Sequence, residues 1–159
     1  MRREQIGNGF QPHIVSSDVI AAEQLTAVST YRETLPTNCP PTDATPPNQQ
    51  IVYRLTLSDP PTQSDFDSNA ARGRSMRPNG NACDHASCSM VIACDKGRQR
   101  LIDMSNLPFY KEKRTYIAHI SIHDKSGTIK INTRSAHVDL WMFSDFDPVA
   151  ATIKSEEIE

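Results

Sequence analysis

The sequence predicts an α+β domain: a mostly antiparallel sheet with one or two packed helices and an N-terminal helical arm. Two observations carry this expectation. Apolar residues alternate with polar ones in several short runs after residue 50, and these runs are separated by turn-forming residues. Helical spacing occurs only before residue 34 and around residues 96–104. A chain of 159 residues fits one domain on length alone. A division into an arm with a proline-rich linker over residues 1–47 and a body over 48–159 follows from composition.

In the arm, Ser16-Ser17-Asp18 reads as a cap for a helix from Val19 to Glu33, with Ala21, Leu25, Val28 and Tyr31 forming a narrow apolar stripe. Seven of the eleven prolines fall between Pro36 and Pro61. Those from Pro36 to Pro47 exclude a continued helix or a central strand, so this part is expected to be an extended linker.

In the body, Ile51, Tyr53, Leu55 and Leu57 alternate with Val52, Arg54 and Thr56 as a strand, which Pro60-Pro61 stops. Residues 65–74 read as a short helix or loop and 75–87 as a loop. Cys88 to Ile92 reads as a short buried strand. Asp95 is expected to cap a helix from Lys96 to Met104, with Gly97 an unfavourable residue inside it. Thr115 to His123 is a strand, Asp124-Lys125-Ser126-Gly127 a turn, and Thr128 to Asn132 the second arm of a hairpin. His137 to Phe143 is apolar on both faces near its end and reads as a central strand. Asp147-Pro148 reads as the start of a closing helix through Ile153, followed by a solvated tail.

Composition limits the function classes. No apolar run approaches the roughly 18 residues needed to cross a bilayer, which excludes a helical membrane span. The charged start, Met1 to Phe10, has no apolar stretch behind it and is not read as a secretory leader. Four cysteines in that setting point to reduced thiols and a cytoplasmic location. The net charge of −2 conceals segregation. Residues 72–114 carry nine basic and four acidic side chains, whereas the segments on either side are acidic. Such a basic middle suits a nucleotide or nucleic acid as well as an ordinary solvated surface.

The densest cluster of reactive side chains is Cys83-Asp84-His85-Ala86-Ser87-Cys88 with Cys94 six residues on. Thiolates and imidazole are zinc ligands, and Cys83, His85, Cys88 and Cys94 suffice in number for a tetrahedral site. Their spacing departs from paired C-x-x-C knuckles, so buried or loop thiols remain the alternative. His119 and His123 share a strand face about 13 Å apart at roughly 3.3 Å per residue, too far to bind one metal from a flat strand.

His85-Ala86-Ser87 and His119-Ile120-Ser121 resemble the paired His-x-Ser/Thr elements of the two-histidine phosphoesterases, in which one imidazole acts as base and the other as acid. Tyr53-Arg54 with Ser87-Cys88-Ser89 resembles the ADP-ribosyltransferase pattern. That resemblance implies NAD as cofactor, with Arg54 binding its phosphates and Ser87 or Ser89 ordering the pocket. His137 would then contact substrate, and Glu157-Ile158-Glu159 supplies the Glu-x-Glu spacing of the late glutamate. A broader likeness runs from residue 51 to about 150. It is carried by Tyr53-Arg54, Asp65-Phe66-Asp67-Ser68, Gly73, Cys88-Ser89-Met90, Tyr116-Ile117-Ala118, Gly127 and His137-Val138-Asp139-Leu140-Trp141. These residues look like a group of small bacterial proteins of unassigned activity, which implies a compact bacterial domain from a conflict or defence setting.

Two functional expectations follow. One is a small interaction or regulatory protein that engages another protein through its N-terminal arm. The other is a nucleotide-handling enzyme of ADP-ribosyltransferase type, with Arg54, Ser89 and His137 at its site.

Overall fold

The computed structural model describes residues 29–159. The expected arm helix lies outside the described residues as far as position 28. Residues 29–33 are not helical: Tyr31 forms a β-bridge with Phe143, and Arg32 and Glu33 form a bend.

Six strands form one antiparallel sheet: β1 (Gln50–Thr56), β2 (Cys88–Ile92), β3 (Tyr116–Ile122), β4 (Gly127–Asn132), β5 (His137–Met142) and β6 (Thr152–Glu157). Their order across the sheet is β4-β5-β2-β1-β3-β6. Helix α1 (Ala82–His85) is a single turn, and α2 (Asp95–Ser105) is the one helix of any length among the described residues. The regular structure is thus mainly antiparallel sheet, as expected.

Only residues 123–126 join β3 to β4, although β1, β2 and β5 stand between those strands. Four strand spacings in a flat sheet cover about 19 Å. Five residue steps reach at most about 17 Å, so the sheet must curl. Val52, Met90, Ile120, Ile129 and Leu140, one from each of five strands, meet on one face together with Phe66. On the opposite face Leu55, Val91 and Ile117 pack with Leu101 of α2. Gly97 makes that contact close, since a Cβ there would stand 2.0 Å from the carbonyl oxygen of Ile92. The glycine that lowers helix propensity is what lets α2 sit on the sheet.

Two expectations about the last third are corrected. The strand at 115–123 does not form a hairpin with β4; β4 pairs with β5, through a return over 133–136. Both connections are short enough for a hairpin, so turn chemistry alone does not choose between them. Residues 148–153 are not a closing helix. Asp147 does cap one turn, its Oδ1 accepting from the amides of Val149 at 3.0 Å and Ala150 at 3.2 Å. The open edge of β3 then takes the chain up as β6, so the tail is a strand rather than solvated coil.

The proline-rich segment is bound to the body. Thr45 and Ile129 exchange backbone hydrogen bonds at 2.9 and 2.8 Å along the edge strand β4. Arg32 pairs with Asp67 at 3.1 Å, and Lys130 with Asp43 at 3.4 Å. Cys39 and Cys83 form a disulfide across a sequence separation of 44. The expectation of four reduced thiols is therefore corrected, and two remain: buried Cys88 and exposed Cys94. No helix among the described residues is long and apolar enough to cross a membrane.

Candidate functional site

A cleft of about 530 Å³ opens on the α2 face of the sheet. Ser89 of β2 with His137 and Asp139 of β5 form its floor. The loop from Asn69 to Gly80 and α1 bound one side. Arg100 and Met104 of α2, with Leu107 and Tyr110 beyond it, bound the other. The floor follows from strand periodicity. His137, Asp139 and Trp141 point to one face of β5, while Val138, Leu140 and Met142 point into the larger core. Ser89 stands directly opposite Asp139 in the antiparallel register, and Val91 opposite His137. His137 is thereby placed diagonally from Ser89, within reach of its side chain.

These residues form a polar chain. The Ser89 Oγ is 2.6 Å from the Nε2 of His137. The Nδ1 of His137 is 3.5 Å from the Oδ2 of Asp139, and the other carboxylate oxygen accepts from Ser87 Oγ at 2.6 Å. Trp141 anchors α1 beside the floor, its Nε1 donating to the Cys83 carbonyl at 3.0 Å. His85, at the end of α1, is tied to the 69–80 loop by a 2.8 Å contact between its Nε2 and the carbonyl of Arg74.

Five arginines, Arg54, Arg72, Arg74, Arg77 and Arg100, line this cleft. None of them forms an ion pair among the described residues. Arg72 shows the consequence: burial, followed by the neighbouring charges of Arg54 and Arg74, pulls its guanidinium below its ordinary pKa. Two carboxylates face this positive field, Asp139 and Asp84. Burial and then the charge of Asp139 push the carboxyl of Asp84 up. Four of the nine basic residues of the 72–114 segment reach the cleft. Arg98 and Arg114 instead pair with Glu156 and Glu157 of β6.

Arg54 lies where β1 and β2 part, and its donors are committed to the chain. Nε donates to the Asp65 carbonyl at 3.0 Å, one terminal nitrogen to the Ser89 carbonyl, and the other to the Asp67 carbonyl at 3.3 Å. Asp65 is fixed in turn. Burial pushes its carboxyl up, but hydrogen bonds from Leu57, Ser58 and Thr62 outweigh this and hold it below its ordinary value.

The sequence-derived site residues thus divide. Arg54, Ser89 and His137 do meet in one cleft. Glu157, the late glutamate of the ADP-ribosyltransferase pattern, is on β6 and binds Arg114 at 2.8 Å, away from the cleft lining. The two His-x-Ser elements are separated as well. His85 lines the cleft, whereas His119 packs at a tilt against Tyr53, ring centres 4.4 Å apart, and contacts Glu156 at 3.1 Å.

The four-ligand zinc expectation is corrected, because no such cluster of ligands converges among the described residues. Cys83 is consumed by its disulfide and Cys88 faces the larger core. Cys94 caps α2, its sulfur accepting from the Gly97 amide at 3.4 Å.

Sequence reasoning missed Asp139 as a site residue. Its signal is the His137-Val138-Asp139 alternation, which puts both polar groups on one strand face. No family model, curated protein or solved structure matches this chain.

Proposed function

We propose that this protein binds a nucleotide-class phosphate ester in the arginine-lined cleft. The observation that carries the reading is the convergence of Arg72, Arg74, Arg77 and Arg100, none of them paired with a carboxylate among the described residues, while Arg54 behind them is committed to backbone carbonyls. Guanidinium groups match phosphate oxygens in a bidentate geometry, and a cluster of like charges is relieved by an anion. Tyr110, half-buried against the α2-side core, also lines the cleft and brings an aromatic ring beside the arginines.

This reading favours the nucleotide-handling expectation but not its NAD-specific form, since Arg54 is already satisfied by carbonyls and Glu157 lies elsewhere. The alternative, capture of another protein by the N-terminal arm, has less support. The described part of that arm, residues 29–47, is fastened to the chain's own body. The Cys39–Cys83 disulfide favours an oxidising compartment over the cytoplasm expected from sequence.

Calorimetric titration with AMP, NAD and inorganic phosphate tests the reading. AMP should bind, and affinity should fall with added salt. Arg77→Ala and Arg100→Ala, both at exposed positions, should each weaken binding on the order of tenfold. Absence of heat from all three ligands, or full affinity in both variants, would overturn it.

A further inference from the structure

We infer that the cleft cleaves phosphodiesters, with Ser89 as nucleophile, His137 as its base and Asp139 as a positioning residue for His137. The inference rests on the proposed binding of a phosphate ester and adds a reaction to it. Serine hydroxyls are poor nucleophiles unless a base takes the proton, and that base works best when a third group fixes its orientation. The three side chains here meet that requirement in order.

Ser89 Oγ lies 2.6 Å from Nε2 of His137, hydrogen-bond distance for proton transfer. Asp139 stands 3.5 Å from Nδ1 and is itself held by the Ser87 hydroxyl at 2.6 Å. An imidazole protonated at Nδ1, toward the carboxylate, presents Nε2 as the acceptor for Ser89. The rigid sheet supplies the placement: Ser89 and Asp139 are register partners, and His137 is two residues from Asp139 on the same face. None of the three is fully buried, and all open into the cleft.

The arginines select the substrate class. In a phosphodiester the charge to be stabilised sits on the non-bridging oxygens, and cationic donors around them lower the barrier to attack. Ser89 Oγ attacks phosphorus, the P–Oγ bond forms, and the bond from phosphorus to the leaving alcohol oxygen breaks. The hydroxyl proton passes to Nε2 of His137, which returns it to the departing alkoxide to give a free alcohol. Water then attacks the phosphoseryl diester. His137 takes the water proton and delivers it to Ser89 Oγ as that oxygen leaves, restoring the enzyme and releasing a phosphomonoester. Water is the sole co-reactant.

The full chain should be treated with a fluorophosphonate, which phosphonylates activated serines with loss of fluoride, and mapped by intact and peptide mass. In parallel, bis(p-nitrophenyl) phosphate turnover and AMP binding should be measured on the same samples, with melting curves for each variant. The label is expected at Ser89. Ser89→Ala and His137→Gln should abolish both label and turnover while still binding AMP. Asp139→Asn should lower kcat by tenfold or more with KM little changed, a split that a merely structural aspartate would not produce.

A folded wild-type protein that binds AMP but takes no label at Ser89 overturns the relay and leaves the binding reading intact. Label at Ser89 without diester turnover overturns phosphodiester cleavage. If AMP, NAD and inorganic phosphate all fail to bind as well, the binding reading falls with it.

Discussion

The guanidinium of Arg54 on β1 donates to the backbone carbonyl of Ser89 on β2, just beyond the last pairing of those strands at Tyr53 and Val91. The strands part there, and the buried arginine fills the gap by satisfying carbonyls of Ser89, Asp65 and Asp67. A residue expected from sequence to grip a ligand therefore holds the floor of the cleft together.

Arg54→Ala should destabilise the fold by about 2–4 kcal/mol, because it strands three carbonyl acceptors and leaves a void. Urea denaturation of the variant measures this directly. A midpoint equal to that of the parent would mean that Arg54 is a ligand-binding group and not a brace.

Gly97→Ala tests whether packing overrides propensity in α2. An isolated helix gains about 1 kcal/mol from this change. Here the added methyl meets the Ile92 carbonyl, so a net loss of about 1–3 kcal/mol is expected. Chemical denaturation gives the sign, and a gain in stability would show that α2 does not sit against β2 as described.

Reduction of the Cys39–Cys83 disulfide opens a closure of 44 residues. The chain-entropy relation assigns such a loop about 4 kcal/mol. The melting temperature should fall by roughly 10 °C for a chain of this size. Thiol titration of the unreduced protein should find one fast group, Cys94, and a second, Cys88, that reacts only after unfolding.

Acid should destabilise the protein through two carboxylates. Hydrogen bonds from Arg98, then Lys154 and His119, lower the pKa of Glu156 from 4.5 to about 2, and Asp65 is also held below its ordinary value. A carboxyl whose folded pKa is depressed stabilises the fold while ionised. That contribution is complete above its unfolded pKa and is lost as the pH falls through the folded one. Stability should therefore decline between about pH 4.5 and 2. Glu156→Gln should flatten that decline in a pH series of urea melts. An unchanged acid limb would show that the Arg98–Glu156 link between α2 and β6 contributes nothing.

Much of the sheet was legible in advance because alternation is a local property. The Ile51–Leu57 run and the strand ending near His123 read correctly from period two, and Cys88–Ile92 and the run from His137 from their short apolar stretches. Topology was not legible. Asp124-Lys125-Ser126-Gly127 carries the stronger turn signal, yet β4 pairs across the return through Thr133-Arg134-Ser135-Ala136, with β5. The capping signal at Asp147 was genuine, yet the unpaired edge of β3 ended the turn and recruited β6. Cysteine spacing pointed to Cys83, His85, Cys88 and Cys94 as neighbours. The fold instead joined Cys83 to Cys39 and turned Cys88 into the core.

Five of the six strands, the place of α2, and the candidacy of a basic middle segment, Ser89 and His137 for chemistry can be read along the chain, whereas β6 cannot. Local periodicity, capping residues and charge distribution depend only on near neighbours along the chain. Tertiary structure alone decided that Ser89, His137 and Asp139 form one chain of contacts and that Arg72, Arg74, Arg77 and Arg100 surround it. The reason is register: Ser89 meets Asp139 across a sequence separation of 50 only because β2 and β5 pair as they do. A slip of one residue would turn every one of those side chains to the opposite face.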